Sequence, residues 1–149
     1  MSRRALIPLI AVGVLVFLAL SLLLARYLNT ESQERGAVFA VLQAQARGDA
    51  KAMLARLDGC AKDPACAATQ RRNAQRLKRR GEVKILAYDS KTAYALGRKR
   101  GKTRVAWTVI DRGLPVVQCV DVERTGTVLA GRTISLRRLS PPIRRTGTC

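Results

Sequence analysis

The sequence contains no histidine among its 149 residues. Histidine is the side chain whose ordinary pKa makes it the commonest acid–base catalyst near neutral pH, so the usual catalytic pairs are excluded. No C-x-x-C pair occurs, which argues against a zinc knuckle and a dithiol redox centre. Glycine-rich phosphate-binding loops and nucleophile elbows are also missing. The sequence therefore predicts a protein that is not an enzyme and binds no metal or cofactor.

Acidic residues are scarce: 10 oppose 28 lysines and arginines, for a net charge of +18. Such a surface attracts polyanions and anionic lipid headgroups. Aromatic residues make up 4% of the chain and are absent from the basic clusters, so stacking on nucleic-acid bases is not expected. The alternative is an arginine-rich but merely hydrated exterior. The predicted polyanion-binding residues lie in a helix (Arg71, Arg72, Arg76, Lys78, Arg79, Arg80) and a hairpin (Arg98, Lys99, Arg100, Lys102, Arg104).

One long stretch carries no charge: the 21 residues of Ala5–Ala25. At about 1.5 Å per residue, a helix of this length would span a hydrocarbon core of about 30 Å. We therefore expect an uncleaved signal anchor across the cell membrane at 5–25. A cleaved signal peptide is the alternative, although its apolar core is usually shorter, about 7 to 15 residues. The positive-inside rule then predicts a cytoplasmic N-terminus, 1–4, and an extracytoplasmic domain, 26–149.

All four cysteines follow the apolar stretch, and an even number in an oxidising compartment predicts disulfides. Cys60 and Cys66 are six positions apart with Pro64 between them, which suits a local structural clip. Cys119 alternates with acidic residues on the outer face of a predicted strand, where the C-terminal tail could cross it. We therefore predict a second disulfide from Cys119 to Cys149.

The apolar pattern changes from a helical period to strict alternation at Glu82. Helices are predicted at about 30–47, 49–58 and 64–80, strands within about 82–139, and a tail at 140–149. Turn residues divide the strand region into about five strands. Helices followed by a curved antiparallel sheet indicate the α+β class.

The turn residues also predict the strand register. A turn at Arg100–Gly101 would pair Leu96 with Val105 and Tyr94 with Trp107. A turn at Thr125–Gly126 would place Val122 opposite Leu129. Ile134 and Leu136 then face the wrong way unless a bulge is inserted, for which Gly131 is the natural site.

The segments "GDAKAMLARL" and "LPVVQCVDVERTGTVLAGRTISL" fit a known architecture. Over about 30–139, the chain resembles the NTF2-like (cystatin-like cone) superfamily, and particularly its membrane-anchored extracytoplasmic members. Those include accessory proteins of actinobacterial cell envelopes and the periplasmic scaffold subunit of type IV secretion systems. Many members insert a helix between early strands, which is not evident here. The resemblance implies a cone cavity, which Tyr94, Trp107 and Asp111 would line, although such aromatics are also typical of a plain core.

These observations lead to three functional hypotheses. The first is a membrane-anchored, non-enzymatic adaptor or scaffold in a cell-envelope complex, with envelope proteins as partners. The second is an electrostatic binder of polyanions or anionic lipid. The third is a small-ligand carrier or enzyme that uses the cone.

Overall fold

The computed structural model describes residues 3–91, 99–110, 112–127 and 131–149. Its helices and strands follow one another along the chain as α1 (Arg3–Arg47), α2 (Ala50–Arg56), the short 3-10 helix η1 (Cys60–Lys62), α3 (Pro64–Arg76), β1 (Val83–Ser90), β2 (Lys99–Val109), β3 (Arg112–Thr127) and β4 (Gly131–Leu139). The strands form one antiparallel sheet in the order β1-β2-β3-β4. The predicted α+β class is confirmed.

Aspartates cap two of the helices. The Asp49 carboxylate accepts a hydrogen bond from the backbone N–H of Ala52 at the start of α2. The Asp63 carboxylate accepts from the N–H groups of Ala65 and Cys66, and Pro64 occupies the first turn of α3. Each cap satisfies backbone donors that have no partner within the helix. α3 ends at Arg76, shorter than the predicted 64–80.

The core lies between the helices and one face of the sheet. Val38 and Leu42 of α1 and Met53 of α2 are buried against Val105, and Trp107 is 0% exposed. The Trp107 indole donates a hydrogen bond to Gln118 Oε1 at 2.8 Å, so this buried polar group is satisfied.

Helix α1 runs without a break from Arg3 to Arg47, so the apolar stretch and the first predicted domain helix form one element. The side chains at positions 10–25 are exposed, with Phe17 at 68%.

Within the described part of the chain, no helix has the length and apolarity that crossing a membrane requires. This finding contradicts the predicted anchor at 5–25. The prediction of a single-pass cell-membrane protein, with 1–4 in the cytoplasm and 26–149 outside it, depended on that anchor and is corrected with it.

The predicted turn at Arg100–Gly101 is wrong, because both residues lie within β2 and pair with β3. Trp107 therefore lies opposite Ile85 and Val116, not Tyr94. This register places Trp107 in the middle of the sheet beneath α1. The predicted strand that holds Tyr94 and Leu96 falls outside the described residues. The sheet that the structure describes has four strands instead of about five.

The predicted turn at Thr125–Gly126 is also wrong, since β3 continues through both residues to Thr127. Val122 pairs with Leu136, and the register of β4 shifts next to it, where Arg137 is inserted. The bulge thus lies at Arg137 rather than Gly131. Leu136 and Leu139 are three positions apart. Both can be buried because the bulge between them places their side chains on the same face of the sheet.

Both predicted disulfides are confirmed. Cys60 is bonded to Cys66, and Cys119 is bonded to Cys149. The second disulfide attaches the tail to the sheet face away from α1, where the Ile143 N–H also donates to the Val117 carbonyl at 2.8 Å.

Candidate functional site

One group of predicted polyanion-binding residues lies on the exposed side of α3 and on the loop that follows it. We define the basic face as Arg71, Arg72, Arg76 and Arg80, all of which are exposed. The opposite side of α3 is fixed to the sheet, because the Gln70 and Asn73 amides donate to the Leu139 and Ser140 carbonyls. No described carboxylate lies within ion-pair distance of the basic face.

The other bases of this region serve packing. The aliphatic part of Lys78 lies over Gly48, within 2.9 Å of where a Cβ would stand. Arg79 Nη1 donates to the Leu114 carbonyl at 3.0 Å. Lys78 and Arg79 are therefore held against the domain, and the structure does not bring them into the basic face.

The predicted basic hairpin is divided by the observed register. Arg98 and the side chain of Lys99 lie outside the described residues. Arg104 Nε donates to the Gly147 carbonyl at 3.0 Å, so Arg104 holds the tail. Arg100 and Lys102 instead line a pocket on the sheet face away from α1.

This charged pocket has a volume of about 700 Å³ and lies between the loop that follows α2 and strands β2, β3 and β4. Its lining residues are Asp58, Gly59, Cys60, Asp63, Cys66, Arg100, Gly101, Lys102, Asp121, Val122, Arg137 and Arg138. The Cys60–Cys66 disulfide forms part of one wall. The loop turns at Gly59, whose φ of 77° lies in the left-handed region that favours glycine.

Ion pairs hold most of the charged side chains of the pocket. Arg137 contacts Asp58 at 3.1 Å and Glu123 at 2.7 Å, and Glu123 is only 1% exposed. Arg100 contacts the same Glu123 carboxylate at 3.2 Å. Arg138 contacts Asp63 at 3.1 Å. The bulge in β4 presents Arg137 and Arg138 at one position of the sheet, and the loop carboxylates orient them.

Two pocket side chains have no such partner. Asp121 lies opposite Lys102 on one neighbouring strand and opposite Arg138 on the other. Within the described residues, Asp121 and Lys102 form no ion pair or hydrogen bond. Of the two acidic side chains on one face of β3, Glu123 forms ion pairs with Arg100 and Arg137, and Asp121 forms none with a described residue.

A second charged group is buried beneath the sheet, outside the pocket. Glu34 of α1 is 0% exposed and accepts hydrogen bonds from the Tyr88 hydroxyl at 2.5 Å and the Thr103 hydroxyl at 2.7 Å. Its other oxygen accepts from Arg124, with Nε at 2.9 Å and Nη2 also in contact. Arg124 is 2% exposed. This group joins α1 to three strands.

Burial by itself raises the pKa of the Glu34 carboxyl, since it disfavours the charged form. The hydrogen bonds from Tyr88, Thr103 and Arg124, with the Arg124 charge, outweigh burial and bring the Glu34 pKa below its ordinary value. Burial, followed by the Glu34 carboxylate, raises the pKa of Tyr88. The carboxylate is thus ionised and the phenol neutral across the physiological range.

The predicted cone cavity stays a prediction, because two of its three lining residues, Tyr94 and Asp111, lie outside the described residues. Trp107 packs in the core and does not line the charged pocket. Among the residues that the structure describes, no cluster of cysteine and carboxylate side chains could hold a metal ion.

Sequence reasoning missed the joint role of Arg137, Arg138 and Asp121 in the pocket. One signal was available: the spacing of the apolar residues Ile134, Leu136 and Leu139 changes from two to three. Such a change indicates a bulge at Arg137–Arg138.

Comparison of the chain with protein-family models, curated proteins and solved structures finds no match. The resemblance to the NTF2-like superfamily therefore stays a prediction.

Proposed function

We propose that this protein is a non-enzymatic binding protein that holds a polyanionic partner on the basic face of α3. The observation that carries the proposal is the exposure of Arg71, Arg72, Arg76 and Arg80 without any described carboxylate in ion-pair range. Elsewhere in the fold, arginines such as Arg124 and Arg137 are neutralised by acidic side chains. Unneutralised guanidinium groups on one helix face can each displace a counterion from a polyanion.

The fold supports this arrangement because α3 is fixed from behind. Gln70 and Asn73 anchor the helix to the Leu139 and Ser140 carbonyls, so substitutions on the exposed side leave its packing unchanged. Rigid presentation of cations lowers the entropy cost of binding. The lack of aromatic residues on this face favours contacts to the backbone of a polymer over base recognition.

The salt dependence of binding to a short double-stranded DNA of mixed sequence tests the proposal. We expect the triple variant R71Q/R72Q/R76Q to lower the slope of log K against log salt by about 2.7, since each phosphate contact contributes about 0.9. The measurement is fluorescence anisotropy across a salt series.

The matched control is K51Q/K62Q/K84Q, which removes the same charge from exposed lysines in other elements. If the two triple variants lower the slope equally, net charge alone explains the binding. The basic face is then not a site.

A second candidate function is that of an adaptor or scaffold, favoured by the exposed apolar side chains of α1. Leu15 and Phe17 are 66% and 68% exposed, and many of their neighbours between Ile10 and Leu24 are similar. Contiguous apolar surfaces of this kind mark interaction sites. The C-terminal part of α1, from Glu34 onward, packs in the domain, so one continuous helix would connect a partner to the sheet.

We expect the full-length chain, isolated gently from its native source, to retain a partner protein in a fixed ratio. The variant L15Q/F17Q should lose it, while K51Q/K62Q should retain it. Quantitative mass spectrometry of the co-purified material measures the ratio. A lone monomer under every condition would contradict the adaptor function.

A further inference from the structure

The charged pocket differs from the basic face because its charges are balanced. Its four cations, Arg100, Lys102, Arg137 and Arg138, are matched by Asp58, Asp63 and Asp121 in its lining and by Glu123 beneath it. A simple anion would therefore meet a nearly neutral environment. Recognition at this pocket must depend on the pattern of charge instead of its sum.

Internal ion pairs already occupy some of the charged side chains of the pocket. Arg137 is shared between Asp58 and Glu123, and Arg138 is held by Asp63. The groups that remain available to a ligand are the Asp121 carboxylate, the Lys102 ammonium and the outer part of Arg100, which is 69% exposed. An anionic group and two cationic groups thus face one opening of about 700 Å³.

The strand register sets the arrangement of these groups. Lys102 and Asp121 are direct partners across β2 and β3, so their Cβ atoms are about 5 Å apart. Arg100 is two positions from Lys102 on the same sheet face. We propose that the pocket binds a small zwitterion, with its ammonium at Asp121 and its phosphate or carboxylate at Lys102 and Arg100.

Direct pairing of Lys102 with Asp121 would compete weakly with such a ligand. An exposed lysine–carboxylate pair contributes little, because both groups remain hydrated and the lysine side chain loses entropy. The ligand instead meets Arg100, whose Nε is held by the buried Glu123 carboxylate, and a loop closed by the Cys60–Cys66 disulfide. Such preorganisation favours the ligand.

Three probes test the two ends of the ligand independently. Phosphoethanolamine carries both ends, ethyl phosphate lacks the amine, and ethanolamine lacks the phosphate. Titration of the disulfide-bonded full-length chain by NMR or calorimetry measures each affinity. We expect phosphoethanolamine to bind at least tenfold more tightly than either fragment. β-Alanine, tested in parallel, distinguishes a carboxylate source of the anionic group from a phosphate source.

The variant D121N should bring phosphoethanolamine to the affinity of ethyl phosphate without weakening ethyl phosphate. K102Q should weaken both phosphates. E82Q is the matched control, because Glu82 is exposed, lies before β1 and does not line the pocket. Any one of three results would overturn the proposal. The wild type could bind phosphoethanolamine and ethyl phosphate equally, it could bind no zwitterion, or D121N and E82Q could have equal effects.

This pocket and the basic face share no residue, so the two proposals can fail separately. R71Q/R72Q/R76Q should leave phosphoethanolamine binding unchanged, and D121N should leave the salt dependence of DNA binding unchanged.

Discussion

Replacing Arg124 with methionine is expected to destabilise the protein by about 3–5 kcal/mol. Arg124 and Glu34 are 2% and 0% exposed, and the substitution leaves the Glu34 carboxylate buried without its charged partner. The hydrogen bonds from Tyr88 and Thr103 remain but supply no compensating charge. Urea unfolding followed by circular dichroism measures the change in the free energy of unfolding.

R138M is the matched control, because Arg138 also pairs with one carboxylate, Asp63, but is 55% exposed. An exposed pair of this kind contributes about 0–1 kcal/mol. The double variant E34Q/R124M should be more stable than R124M alone, since it removes both buried charges of the pair. If R124M costs no more than R138M, the buried pair is not what joins α1 to the sheet.

The pH dependence of the free energy of unfolding provides an independent readout of the Glu34–Arg124 pair. The Glu34 pKa is lowered in the folded protein, so its stabilising contribution is complete above the ordinary glutamate pKa of about 4.3. That contribution is lost as the pH falls from the unfolded pKa through the folded pKa, because the unfolded state then binds a proton that the folded state does not yet bind. In wild type, stability should therefore fall as the pH drops below the ordinary glutamate range, and E34Q should reduce that fall.

Removing the disulfide between Cys119 and Cys149 is the second large expected effect. These cysteines are 30 positions apart, and the loop-entropy relation gives about 3–4 kcal/mol for a closed loop of this size. The variant C119S/C149S should also free the tail, which among the described residues is otherwise held to the sheet by hydrogen bonds at Ile143, Arg145 and Gly147. Urea unfolding measures the first effect and hydrogen exchange at Ile143 measures the second.

C60S/C66S provides the comparison, because its cysteines are only six positions apart and the same relation gives about 2 kcal/mol. This variant should leave the tail protected from exchange and loosen the wall of the charged pocket instead. A larger loss of stability in C60S/C66S than in C119S/C149S would contradict this account. Unchanged exchange at Ile143 in C119S/C149S would also contradict it.

Local features of the fold could be predicted because they depend on residues close in sequence. Asp49 and Asp63 cap helices through N–H groups two or three positions ahead, and Cys60 reaches Cys66 within one loop. The change of period at Glu82 likewise marks the boundary between helices and sheet. Alternation also placed Cys119 on the outer face of the sheet, from which the tail disulfide followed.

The strand register could not be predicted, because turn residues are ambiguous evidence for it. Arg100–Gly101 and Thr125–Gly126 are typical turn pairs, yet both lie inside strands. A long strand tolerates such residues when its neighbours supply the hydrogen bonds and the core burial. One shifted turn then changes every cross-strand partner, which is why Asp121 was not connected to Lys102 and Arg138.

The sequence by itself determined the α+β class, the two disulfides and the excess of positive charge, because each depends on composition, on short spacings or on the alternation of residues along a strand. Only the tertiary structure decided which charges are neutralised. It buries Glu34 against Arg124, pairs the bulged arginines with the loop carboxylates, and leaves the basic face without a carboxylate partner among the residues that the structure describes. The physical reason is that ion pairing depends on distances of a few ångströms between residues tens of positions apart.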